Sequence, residues 1–371
     1  MSSRSLWLCS ALFGSFGVSL LAQPAPDTVA PAPPTPEQSA AWKASGRTLP
    51  TSELLQPTLD PALASFQPRA ARDLAGSYRG ASSDVLVELG RKWIAAFQKY
   101  YPAVKIELVP PFAGSLGAQE LIAGANDFVL VSRELRPADI EGFTKKFGYD
   151  PFSVPISGGS YRHFGFLDAV AFFVHQDNPI RQLTFGQLDA LLSTTHHRSG
   201  TPIRTWGQLG LTGEWADKAI HVVGVKPWNG FEEFVRQRVL SVAGKRGEWR
   251  EDLEFHPTVF PISPRVAADR YAIGYAGVAY IGPGTKTIAL AEKEGGMFYA
   301  ASYDEVARAR YPLSRVTFFN TNQAPGKPLP PALAEFVRFI LSRDGQAVVR
   351  DQAIFLPLRA GQVAGSRKLV D

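Results

Sequence analysis

From Arg79 onward the chain alternates between two apolar periodicities, and few folds accommodate that alternation. Val85, Leu89, Trp93, Ala96 and Phe97 recur at helical spacing behind Ser82, Ser83 and Asp84, any of which can cap a helix. Pro102 ends that helix, and VKIELVP follows as an alternating strand. In FAGSLGAQELIAGANDFVLVSR a Gly-Ser turn opens a short helix, and the strand DFVLVS then stops on Ser132 and Arg133. RPADIEGFTKKFG reads as a helix with Pro137 in its first turn. VPISGG reads as extended and AVAFFVH as a fully apolar strand. The second half repeats the alternation. LTFGQLDALLS is a helix capped by Thr184, AIHVVGV a strand, FEEFVRQRVLSVAG a helix, YAIGYAGVAYI a glycine-broken strand and LAEFVRFILS a late helix. This order predicts a mainly parallel α/β sheet without internal repeats. A chain of 371 residues exceeds one simple core and predicts two domains.

The N-terminus bears one arginine, Arg4, before an apolar run from Leu6 to Leu21, with the small residue Ala22 available for cleavage. Residues 1–22 are therefore expected to be a secretory signal peptide, the alternative being an uncleaved anchor. The single cysteine, Cys9, lies in that segment, and LWLCS lacks the small residues of a lipoprotein signal. The exported chain would then hold no cysteine, which excludes disulfides and thiolate catalysis. Residues 23–71 read as an extended Pro-rich tether, with six prolines between Pro24 and Pro36. The net charge of +5 is mild and no Lys/Arg stripe is present, so nucleic acid is not an expected partner.

Few residues carry chemistry. Ser115, between Gly114 and Gly117, stands at a helix mouth where free N–H groups and a hydroxyl suit an anion; a plain cap is the alternative. A hydrolase elbow would need glycine at the position held by Ala113, which argues against a nucleophilic Ser115. Ser132 and Arg133 stand at the carboxyl end of a strand, where open α/β sheets bind ligands and a guanidinium fork suits oxyanions. Arg133 paired with Glu134 or Asp139 is the alternative. Trp228-Asn229-Gly230 makes a second strand-to-helix loop, in which Asn229 can cap and Gly230 admits close approach, or which is a simple turn. The adjacent His196 and His197 lie on a polar turn without acidic partners at helical spacing, and no HExxH motif occurs, so no metal site is expected. No P-loop or dinucleotide fingerprint is present.

Together, AGSLGAQELIAGANDFVLVSREL, FFVHQDNPIRQLTFGQLDALLS, TWGQLG, AIGYAGVAYI, YPLSR at Tyr311–Arg315 and SRDGQAVVRDQAIFLPL resemble the phosphate-binding proteins of ABC transporters, of the type-II periplasmic binding protein class. The resemblance runs from about Phe66 to Leu358. It implies an α/β fold of two lobes with a ligand cleft between them. Lobe one would hold residues 72–168 and 282–371, and lobe two 169–281. The candidate ligand-binding residues so implied are Ser83, Asp84, Ser115, Leu116, Ser132, Arg133, Asn229 and Gly230. The lobe-two loop departs from the family's pattern: Val225 stands where an arginine is usual, Asn229-Gly230-Phe231 replaces Ser-Gly-Thr, and Val85 replaces a threonine.

The resemblance thus implies a secreted, periplasmic, monomeric binding protein that captures phosphate or a related small oxyanion for an ABC permease in the inner membrane. It implies no catalysis, cofactor or metal. An envelope binding or signalling protein on the same scaffold, no longer binding phosphate, is the alternative, and a hydrolase using Ser115 is a third.

Overall fold

The computed structural model describes residues 57–69, 74–113, 116–162, 166–198, 200–227 and 229–371. The expected leader, most of the tether, Ser115 and Trp228 lie outside the described residues. Two five-stranded sheets carry the rest. The first contains β1 (Gly76–Ser82), β2 (Val104–Phe112), β3 (Phe128–Val131), β4 (Phe152–Gly158) and the late β12 (Val316–Thr321), in the order β2-β1-β3-β12-β4. The second contains β5 (Val170–His175), β7 (His221–Val225), β8 (Glu254–His256), β9 (Ala272–Gly277) and β10 (Thr285–Thr287), in the order β10-β5-β9-β7-β8. Strands β6 (Gln182–Thr184) and β11 (Ala289–Ala291) form a separate parallel pair.

The expected mainly parallel pairing needs correction. In the first sheet β1 runs parallel to β2 and β3, but β12 runs antiparallel to β3 and β4. In the second, β7 runs parallel to β8 and β9, but β5 runs antiparallel to β9 and β10. The physical reason is the path of the chain. Strands β5 and β12 are each the first to enter a sheet from the other one, so they arrive against the local direction. Local periodicity does not report where a chain comes from.

Each sheet has its own apolar core. In the first lobe α1 (Val87–Phe97) buries Leu89, Trp93 and Phe97 completely. Short α2 (Gln119–Ile122) and α3 (Pro137–Phe147) cover the other face, where Leu121 and Phe143 pack beside Val129 and Val131. In the second lobe α4 (Phe185–Leu192), capped by Thr184, α5 (Gly230–Val235), α6 (Ile262–Ala267) and α7 (Tyr303–Ala307) flank the sheet. Helices α8 (Pro331–Ile340), α9 (Arg343–Gln352) and α10 (Ala360–Val370) return to the first lobe, where Phe97 meets Phe336 with ring centroids 5.3 Å apart. The indole N–H of Trp93 donates to the Gly345 carbonyl at 2.9 Å and ties α1 to α9.

Two boundaries differ from the sequence reading. Ile288, Leu290, Tyr303, Val306, Tyr311 and Leu313 are buried in the second lobe's core, so that lobe continues past residue 281 to about Leu313. Residues 57–69, assigned to the tether, form a docked strap. Leu63 and Phe66 are buried in the first lobe's core. The Asp60 carboxylate accepts from the Ala360 N–H at 2.8 Å, and the Phe66 N–H donates to Asp344 at 2.6 Å.

The chain passes between lobes twice, once between β4 and β5 and once just before β12, at 312–315. These crossovers lie side by side: the Gly159 N–H donates to the Arg315 carbonyl at 2.6 Å, and the Val170 N–H to the Leu313 carbonyl at 3.2 Å. A Cβ on Gly159 would come within 2.4 Å of the Leu167 carbonyl oxygen, so only glycine fits this contact.

Candidate functional site

In the first lobe the candidate residues Ser83, Ser132 and Arg133 stand at the carboxyl ends of β1 and β3. These strands are parallel neighbours, so their exits lie together. Ser83 is fully buried, its N–H donates to the Leu130 carbonyl at 2.8 Å, and its hydroxyl oxygen accepts the Ser132 N–H at 3.2 Å. Ser83 and Ser132 are thereby fixed against one another. Asp84 is exposed and its carboxylate accepts the N–H of Val85 at 2.9 Å.

Arg133 is engaged locally. Its Nη1 donates to the Glu134 carbonyl at 2.9 Å and to Asp139 Oδ2 at 3.0 Å, and its Nη2 donates to the Leu116 carbonyl at 2.9 Å. The same Asp139 oxygen accepts the Arg136 N–H at 2.9 Å at the start of α3. Both side chains of the Arg133–Asp139 pair are largely buried. Arg133 therefore links the turn before α2 to the first turn of α3, and its charge is matched by a carboxylate. Of the two sequence readings of this residue, the pairing with Asp139 is formed. Leu116 is buried and supplies its carbonyl to this lock. Helix α2 begins at Gln119 with Ala118 at its mouth, three residues beyond Ser115.

In the second lobe Asn229 caps α5, its side-chain oxygen accepting the Phe231 N–H at 2.9 Å. Gly230 is exposed, with open space around the position of a Cβ. Phe231 packs edge-on against Tyr280, centroids 5.6 Å apart. Val225 is fully buried in the apolar cluster with Phe173, Val259 and Ile262, so a cation cannot occupy this position without disrupting that core. Lys226, next to it, is exposed.

The crossovers bring in two charged residues that the sequence reading did not single out. Arg315 stands just before β12, beside the end of β3, because β12 pairs antiparallel with β3. Its side chain crosses to the second lobe, with the guanidinium carbon 4.5 Å from the centroid of Phe234 on α5. Arg315 is buried, and burial pulls its affinity for the proton down; Glu134 and Asp168 oppose that effect and Arg133 adds to it. Asp168, on the other crossover, is also buried, and one carboxylate oxygen accepts the Ala279 N–H at 3.0 Å. Burial pushes its carboxyl up to about 7, against that N–H and the nearby Arg315 and Arg162. The only signal for Arg315 was its place in YPLSR, read there as a fold match. A lone arginine in sequence carries no mark of its burial.

Among the described residues no group of histidines, cysteines and carboxylates is arranged to hold a metal ion. No helix among them is long and apolar enough to cross a membrane. No histidine among the described residues bonds to the strand-end serines.

A family model described as a PBP superfamily domain matches residues 67–344. The phosphate-binding protein PstS of Pseudomonas aeruginosa strain PAO1 is 33% identical over 308 residues, covering 82% of this chain and 90% of that protein. The protein of the same name from strain UCBPP-PA14 matches to the same extent. Among solved structures, PstS from Borrelia burgdorferi aligns with a TM-score of 0.52 at 16% identity, over 76% of this chain and 99% of that one, a likeness of fold.

Proposed function

The chain belongs to the PBP superfamily and, within it, to the family of PstS phosphate-binding proteins, and from that membership we propose that it captures phosphate in the cleft between its lobes. The observation that supports this most is the 33% identity to a phosphate-binding protein across 90% of that protein's length. The geometry agrees with it. Ser83 and Ser132 are locked together at strand exits of one lobe, the Asn229-capped α5 belongs to the other, and Arg315 reaches from the first to the second. The protein acts as a binding module without catalysis. Its candidate ligand-binding residues are Ser83, Asp84, Ser115, Leu116, Ser132, Arg133, Asn229 and Gly230.

The same membership supports delivery of the anion to an ABC permease, by a monomeric protein exported to the periplasm on the leader at residues 1–22. Isothermal titration with phosphate at neutral pH tests the ligand. Saturable binding with one site per chain is expected. The absence of heat from folded protein at millimolar phosphate would reject phosphate. It would favour the second reading, an envelope protein on the same scaffold. The observations behind that reading are Val225 and Phe231, apolar where the family's pattern has an arginine and a threonine.

A further inference from the structure

We infer that Arg315, from the returning crossover, supplies the cationic partner of the bound oxyanion, in the role that the lobe-two loop has lost at Val225. The inference rests on the phosphate-binding reading and adds the residue that meets the anion's charge. Three observations carry it. The first is a comparison of buried cations. Among the described residues four arginines are buried: Arg236, Arg250, Arg315 and Arg359. Arg236 pairs with Glu232 at 2.7 Å, Arg250 with Asp252 at 2.5 Å and Arg359 with Asp60 at 3.8 Å. Arg315 alone of the four has no carboxylate within ion-pair distance among the described residues, and its Nε has no hydrogen-bond partner. Glu134 and Asp168 act on Arg315 only from beyond ion-pair distance; a guanidinium taken out of water without a directly paired counter-charge is costly, and a bound oxyanion would offset that cost.

The second observation is position. Arg315 extends the register of β12 past the end of β3, beside Arg133 and Glu134. That is the carboxyl end of a sheet, where α/β folds bind ligands. Its guanidinium faces Phe234, one turn beyond Gly230 at the exposed start of α5. One side chain thus touches the second lobe while its backbone is bonded to the other crossover through Gly159. The third observation is that the alternatives are paired, apolar or solvent-exposed. Arg133 already has a paired carboxylate in Asp139, Val225 is packed in an apolar core, and Lys226 is exposed. The face of Phe234 holds the guanidinium plane by a cation–π contact and leaves its N–H edge for an anion.

The test compares the wild type, Arg315→Gln and Arg315→Lys by phosphate titration, with thermal unfolding of each in phosphate-free buffer. The inference expects Arg315→Gln to weaken phosphate by about a hundredfold, and Arg315→Lys to lose less because it keeps the charge without the fork. Wild-type binding with Arg315→Gln within about threefold of it would overturn the inference and leave the phosphate reading intact. A wild type that does not bind phosphate would overturn both. Should Arg315→Gln fail to fold, the arginine Nε–H spectrum of the wild type decides. The signal missing from the Arg315→Lys spectrum must shift on saturation with phosphate, and an unmoved signal would overturn the assignment.

Discussion

At the scale of single residues, the crossovers concentrate buried charge. Asp168 lies against Gly277, where a Cβ would come within 2.2 Å of its carboxylate, and its second oxygen has no hydrogen-bond partner. The groups that bear on it are the Ala279 N–H, Arg315 and Arg162. With a folded value of about 7 against the ordinary 3.8, the carboxyl holds its proton in the folded protein where the unfolded chain has released it. Stability is then greatest below pH 4 as far as this group is concerned, and is lost as pH rises from about 4 to about 7. The loss is on the order of 4 kcal/mol. Asp168→Asn should flatten this part of the stability–pH profile measured by urea unfolding. A profile unchanged by the substitution would show that the carboxyl is ionised in the fold. Arg133 teaches the complementary point. Its sequence neighbourhood holds both a ligand role and pairing with Asp139; the pair is formed, and no local rule reveals that, since both readings begin from a guanidinium at a strand end.

At the scale of elements, much of the fold was legible. The helical spacing of Leu89, Trp93 and Phe97, the Thr184 and Asn229 caps and Pro137 in a first turn are local signals, and each stands where local chemistry predicts. What was not legible is non-local. The antiparallel entry of β5 and β12 follows from crossing between lobes. The same holds for the strap at 57–69, whose prolines read as a tether. Leu63 and Phe66 join the first lobe's core in a way that no local rule reveals, Phe66 meeting Phe339 of α8 edge-on with centroids 5.4 Å apart. Phe66→Ala should destabilise the protein by about 3 kcal/mol, seen as a lower urea midpoint, with phosphate affinity unchanged. A midpoint equal to wild type would mean that the strap is not part of the folded core.

At the scale of the whole molecule, two sheets of matching order are joined by two adjacent crossovers, an arrangement that allows hinge motion about the shared segment. The site candidates divide between the two bodies: Ser83, Ser132 and Arg133 on one, Asn229 and Gly230 on the other. Arg315 lies between them. Binding that uses both bodies must therefore depend on how they are disposed. The only cysteine is Cys9, so cysteines introduced into a chain lacking residues 1–22 would be unique labelling sites. The exposed Lys99 and Asp217 lie on different lobes and suit a Lys99→Cys, Asp217→Cys pair of spin labels. The most direct test is the distance distribution between these labels during a phosphate titration. A saturable shift with phosphate, and none with chloride at equal concentration, is the predicted result; a distribution that stays the same up to millimolar phosphate would contradict a two-lobed clamp on an oxyanion.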